Sequence, residues 1–218
     1  MISYQSTSDH YFLNLKQNQI KMIKNRGYDV SSEEWILDEN LTPKQFRKKL
    51  LKKYDDHYPS DYSIRKLMYS EYIKDSKSLF VYYVGVQGDK QIKVDSIMPF
   101  ISKMTEEEKN GILIIDSILS PEAAKRLNIV TESKFQIFKE DELYFDLISS
   151  HMIDPHVIVT DPNIKNKLSV SSKNMNIIFS HDPVARYYHF TSGQIIYIKS
   201  SIDLDFLTNY HETFCIVV

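Results

Sequence analysis

Residues 79–84, Leu-Phe-Val-Tyr-Tyr-Val, and 112–115, Ile-Leu-Ile-Ile, carry no polar alternation, and helix-start signals lie between and after them. A strand that faces solvent on one side alternates apolar with polar, so a continuous run reads as a strand covered on both faces. A helix over about 96–104 separates the two runs. Ser120-Pro121 opens another, and residues 135–138, Phe-Gln-Ile-Phe, supply a further strand. Strands alternating with short helices argue an α/β domain. Gly85 and Gly88 break the first run, and residues 91–94 are expected to return beside it as a hairpin partner.

Helix signals dominate the chain before these strands. Phe12, Leu15, Met22 and Ile23 recur at helical spacing, and Gly27 stands where a left-handed cap is wanted, giving a helix over 11–26. Ser31 and Glu34 have the spacing of a capping box. Thr42, Pro43 and Gln45 form a second box with proline at the first helical position. The helix they open lines up Phe46, Leu50 and Tyr54, while Lys44, Arg47, Lys48, Lys49, Lys52 and Lys53 cover the rest, either as a solvated face or as a contact for an acidic partner or the DNA backbone. Through residues 54–77 the tyrosines Tyr54, Tyr58, Tyr62, Tyr69 and Tyr72 keep no period, which predicts a loop with a short helix. A second domain is expected from Ser149. It has strands at 156–159, 177–179, 194–198 and 213–218, and helix starts at Asp161-Pro162 and Asp182-Pro183. The expectation is thus an α/β domain over 1–148 and a small α+β domain over 149–218.

Charge and cysteine usage narrow the function classes. The formal net charge is -2. Residues 1–148 hold 22 Lys+Arg against 23 Asp+Glu, and 149–218 hold 5 against 6. Neither part is the basic module that free-standing duplex binding needs, because counterion release supplies most non-specific affinity. One cysteine, Cys215, leaves no intrachain disulfide and fits a reducing compartment; in its apolar strand it is expected to be packed. No apolar run reaches membrane-span length, and residues 1–10 lack the apolar stretch of a signal peptide, so an intracellular protein is expected. With no zinc-type spacing and no Gly-rich phosphate loop, no cofactor or metal is expected.

One enzymatic arrangement stands against this. Asp116 ends a buried strand, and Glu132 and Lys134 precede the next, the acid-then-Glu-x-Lys order of metal-dependent nucleases. Two carboxylates would hold Mg²⁺ and the lysine would stabilise developing charge. At such loose spacing, solvated strand-end charges account for the same residues.

The densest signal is His181-Asp182-Pro183-Val184-Ala185-Arg186-Tyr187-Tyr188. Asp182 can cap a helical turn and Pro183 presets its first dihedral. The turn would carry Arg186 and two tyrosines, residue types enriched at interfaces; the alternative is a capped turn around a core tyrosine. This block, with Ser192-Gly193-Gln194-Ile195-Ile196 after it, resembles the signature of the fifth-largest-subunit family shared by the eukaryotic nuclear RNA polymerases. The second domain also resembles the small archaeal RNA polymerase subunit that corresponds to this domain alone. Further collinear resemblances are Arg26-Gly27-Tyr28-Asp29-Val30, residues 79–83, Leu119-Ser120-Pro121-Glu122-Ala123-Ala124-Lys125, and Ile153-Asp154-Pro155-His156-Val157.

The resemblance implies a non-catalytic polymerase subunit. Its first domain would be a three-layer, restriction-endonuclease-like jaw beside downstream duplex DNA, with Ser120 and Pro121 near the phosphates. Its second would be an assembly module that docks on the largest subunit and orders neighbouring small subunits. The implied docking residues are Pro155, His156, Asp182, Pro183, Val184, Ala185, Arg186, Tyr187, Tyr188, Gly193 and Gln194. The chain departs from the family at His189, where a glycine is usual, at 200–203, and at Cys215, where an arginine is usual. These departures suggest a divergent or viral copy. Its locale would be nuclear if cellular, or a virion or cytoplasmic transcription site if viral.

Overall fold

The computed structural model describes residues 4–53, 64–85, 91–106, 110–130, 135–146, 148, 153–170, 175–204 and 207–218. Two compact units divide the chain, Met1–Phe145 and Asp146–Val218.

The first unit opens with helix α1, Tyr4–Asn25, then a 3-10 helix, Ser31–Leu37, and helix α2, Pro43–Lys53. Helix α3, Ile64–Leu67, precedes strands β1, Ser70–Lys74, and β2, Lys77–Val84. Next come β3, Gln91–Ile92, α4, Val94–Glu106, β4, Asn110–Ile115, β5, Ile118–Leu119, and α5, Pro121–Val130. Strand β6, Phe135–Lys139, and helix α6, Glu140–Tyr144, complete it. Its main sheet runs β1-β2-β4-β6. β2, β4 and β6 are mutually parallel and β1 is antiparallel to β2. On one face Phe80, Leu113, Ile115, Phe135 and Ile137 pack with Phe100, Ile101 and Leu127 of α4 and α5. On the other, Tyr72 and Tyr83 meet Gln19 of α1. Covering on both faces is why β4 reads as an unbroken apolar run.

α1 closes as the sequence predicts. Gly27 adopts φ +83, and the backbone N–H groups of Gly27 and Tyr28 return to the carbonyls of Lys24 and Ile23. That satisfies the last-turn acceptors in a geometry that favours glycine. The same helix buries a polar cluster. Lys16 Nζ, inaccessible to solvent, lies 3.0 Å from Glu33 Oε2 and donates to Ser70 Oγ at 2.6 Å and Gln19 Oε1 at 2.9 Å. Glu33 also accepts from Ser70 Oγ at 2.7 Å and from the Tyr72 hydroxyl. Three elements are tied by one ion pair whose lone pairs are met by hydroxyls, as a buried pair requires.

Several expectations change in this unit. The start of α1 lies at Tyr4, ahead of the apolar period at Phe12. Ser31 is not a cap: its N–H donates to Asp29 Oδ1 at 2.9 Å, the turn is 3-10, and Glu34 pairs with Lys24. The Thr42–Gln45 box forms reciprocally, at 2.9 and 3.3 Å. Within 54–77 the stretch Ser70–Lys74 is a strand, paired with β2 across the left-handed residues Asp75 and Ser76. Residues 91–92 do not return beside β2; they pair in parallel with β5, because β1 and β4 occupy both edges of β2. Tyr54, Tyr58, Tyr62, Glu132, Lys134 and Ser149 lie outside the described residues.

The second unit contains β7, His156–Ile158, α7, Pro162–Val170, β8, Asn176–Ile178, α8, Pro183–Tyr188, and the long hairpin β9, Ile195–Leu204, and β10, Leu207–Val217. Its sheet runs β7-β9-β10-β8, with only the β10–β8 pair parallel. Ile178, Ala185, Phe190, Ile196, Cys215 and Val217 form its core, with Ile158, Tyr188 and Ile198 against it. Cys215 is packed here, and burial pushes its thiol pKa up. β9 and β10 extend beyond the predicted 198 and 213; of their residues 200–203 only the backbone is described. Among the described residues, no helix is long and apolar enough to cross a membrane.

Candidate functional site

The Asp182 turn forms at the end of β8. Asp182 Oδ1 accepts the Val184 N–H at 2.8 Å, and the Asp182 carbonyl accepts the Arg186 N–H at 2.8 Å. Pro183 supplies the first helical dihedral where an N–H would lack an acceptor. After six residues the helix ends at His189, which takes φ 59 and ψ 44. The Phe190 N–H then reaches the Ala185 carbonyl at 2.8 Å, closing the turn as Gly27 closes α1. His189 is thus a non-glycine residue that holds the left-handed conformation.

The predicted docking residues divide by what they face. Ala185 and Tyr187 are buried, and Tyr187 sets its ring edge-on to Tyr188 at 5.2 Å. Asp182, Val184, Arg186 and Tyr188 are half-buried, and Pro183 and His189 exposed. The tyrosine pair is therefore split: Tyr187 lies inside the folded chain, while Tyr188 keeps an accessible edge. Gly193 adopts φ +85 in a turn, with nothing near the position a Cβ would take, so conformation and not space favours glycine. Gln194 steadies the same turn, its Oε1 accepting the Thr191 N–H at 2.9 Å. Pro155 and His156 stand at β7, the edge strand opposite β8; His156 Nδ1 is 2.6 Å from the Asp154 carbonyl. β7 and β8 are the two edges of the sheet, with β9 and β10 between them.

Sequence reasoning missed the outer face of this sheet. The register aligns Val157 with Tyr197 and Phe214, and Ile177 with Ile216. Val157 and Ile177 are 55% and 58% exposed, and Phe179 beyond β8 is 54% exposed. The signal was the second apolar set in each strand: a sheet with one solvated face would alternate with polar residues there.

In the first unit, Ser120 caps α5. Its Oγ accepts the Ala123 N–H at 3.2 Å, its own N–H donates to Ile92, and its carbonyl accepts from Ala124. Pro121 and Glu122 are exposed. The hydroxyl oxygen of Ser120 thus accepts, and its N–H donates, within the chain.

Asp116, the acid of the nuclease arrangement, meets an internal cation. Arg65 NH2 lies 3.3 Å from its Oδ2 and forks onto Glu140 at 2.6 and 3.0 Å. The guanidinium also covers the Phe12 ring at 4.9 Å. Gly85 makes room: a Cβ there would stand 2.6 Å from Arg65 Cδ and 2.7 Å from Asp116 Oδ2. The Tyr11 hydroxyl donates to the same Glu140, and burial with that charge raises its pKa. Among the described residues no group of three or more His, Cys, Asp and Glu side chains is placed to hold a metal ion.

No family model matches the chain. It is 26% identical over 219 residues to "DNA-directed RNA polymerases IV and V subunit 5B" of Arabidopsis thaliana, spanning 98% of this chain and 92% of that one. It is 25% identical over 205 residues to "DNA-directed RNA polymerase V subunit 5A" of the same plant, covering 91% and 85%. Identity is 21% over 160 residues to "DNA-directed RNA polymerases I, II, and III subunit rpabc1" of Dictyostelium discoideum, covering 70% and 81%. Its homologues are members of the RNA polymerase subunit 5 family. At these identities the chain is a divergent relative of subunit 5. The likeness to the plant subunit 5B runs through both units, so it takes in the Asp182 turn and the Ser120 cap alike.

Proposed function

We propose that the chain is a non-catalytic subunit of a multisubunit DNA-directed RNA polymerase. The observation that carries this reading is the similarity to polymerase subunits over 98% of the chain. The second unit docks on the largest subunit and orders neighbouring small subunits. Support comes from the Asp182 turn, which offers Arg186 and Tyr188, and from the exposed apolar face of the same sheet. Apolar surface rimmed by polar groups marks association sites, and Arg and Tyr are frequent anchors in them.

The first unit serves as a jaw beside downstream duplex, with the start of α5 at Ser120 and Pro121 nearest the phosphates. Near-neutral charge fits a subunit that meets DNA held by larger partners. On this reading its place is the nucleus if cellular, or a virion or cytoplasmic transcription site if viral. The test is affinity recovery of the tagged full chain from its native source, followed by mass spectrometry. The two large catalytic polymerase subunits should come with it in fixed stoichiometry. Recovery alone, or with partners unrelated to transcription, would overturn the assignment.

A further inference from the structure

The basic helix α2 carries five described cations, and the structure sorts them. Arg47 pairs with Asp9 at 2.8 Å, and Lys49 lies 4.7 Å above the Trp35 ring. Lys44, Lys48 and Lys52 are exposed, and no carboxylate pairs with them among the described residues. They recur every fourth residue, so they form a line with about 6 Å between successive positions. Like charges four apart cost a helix a few tenths of a kcal/mol per pair, a cost that no described carboxylate offsets. Leu51, 42% exposed, lies about 20° round the helix from Lys44, on the same face. Phe46 and Leu50 hold the opposite face in the core.

We propose that this face of α2 docks an acidic protein segment punctuated by apolar residues. Three cations with no carboxylate beside them among the described residues call for an anionic partner. Acidic side chains on every second residue of an extended segment repeat at about 6.7 Å, close to the lysine spacing. The exposed leucine beside them decides between polyanions: an apolar side chain covers it favourably, whereas a phosphate backbone laid over it would lose water without gaining a hydrogen bond. The unit's near-zero net charge also withholds the counterion release on which nucleic-acid affinity depends. This surface belongs to the first unit and the Asp182 turn to the second, and the proposal does not depend on the polymerase assignment.

The test is fluorescence anisotropy of a dye-labelled, disordered peptide rich in Asp and Glu with interspersed leucines, titrated with the full chain. The wild type should bind, and the triple variant Lys44→Gln, Lys48→Gln, Lys52→Gln should bind about tenfold more weakly. Leu51→Ser should weaken binding about threefold while keeping its salt dependence. Arg186→Ala should change nothing, which separates this surface from the proposed polymerase contact. All the substituted α2 side chains are exposed, and circular dichroism checks that the variants stay folded. Absence of wild-type binding, or equal binding by the triple variant, overturns the proposal. Displacement of the peptide by a random-sequence DNA duplex of equal charge also overturns it, in favour of nucleic acid.

Discussion

The Lys16 ammonium lies 3.0 Å from the Glu33 carboxylate with solvent reaching 0% and 4% of the two side chains. Removing one member leaves the other charged, buried and unpaired. Lys16→Met should therefore destabilise the chain by about 3 kcal/mol in denaturant unfolding. Adding Glu33→Gln should restore part of that loss, since the amide oxygen still accepts from Tyr72 without a net charge. A double variant no more stable than the single one would place the cost in packing and not in charge.

The same pair sets an acid limit. Burial, the largest influence, raises the Glu33 pKa, but the Lys16 charge and hydrogen bonds from Tyr72, Ser70 and Lys16 together hold it at about 2, below its ordinary 4.5. A folded-state pKa depressed below the unfolded value gives stability that is complete above the unfolded pKa and lost as pH falls through the folded one. Unfolding midpoints should drop between about pH 4.5 and 2. Glu33→Gln should flatten the dependence in that window; an unchanged slope would assign acid sensitivity elsewhere.

Arg186 and Tyr187 are adjacent but should fail differently. Arg186→Ala is expected to leave the isolated chain folded and weaken incorporation into polymerase by about 2 kcal/mol. Tyr187→Ala removes a buried ring and should cost about 3 kcal/mol of stability in the isolated chain. Equal loss of folding in both variants would reduce the turn to a structural role.

His189 holds a left-handed conformation that costs a non-glycine residue about 1 kcal/mol. His189→Gly should raise the unfolding free energy by about 0.5 kcal/mol, after the larger entropy of the unfolded glycine is subtracted. A lower midpoint would show that the imidazole's own contacts outweigh the strain.

What could be read from residue order was whatever rests on local rules. The caps at Thr42, Ser120 and Asp182 depend on neighbours within three positions, and β4 depends on covering from both faces. β1 escaped because Ser70–Lys74 is an edge strand whose exposed positions Glu71, Ile73 and Lys74 follow no apolar alternation. Residues 91–92 were misassigned because pairing with β5 joins segments far apart in sequence. Lys16 was overlooked although its position was readable: Phe12, Lys16, Gln19, Ile23 and Arg26 are spaced four, three, four and three. A polar residue on that stripe must be buried with a partner. The outer apolar face of the second sheet needed the strand register, which no single segment contains.

The fork of Arg65 onto Glu140 and Asp116 has a consequence for how this chain can drift. Exchange of the arginine for a neutral residue would strand two carboxylates at neighbouring strand ends. Loss of Glu140 would leave the guanidinium over Phe12 with one partner instead of two. Gly85 is bound into the same arrangement, because any side chain there strikes both Arg65 and Asp116. The four positions can be replaced together but not singly, so descendants of this chain should change them as one inherited unit.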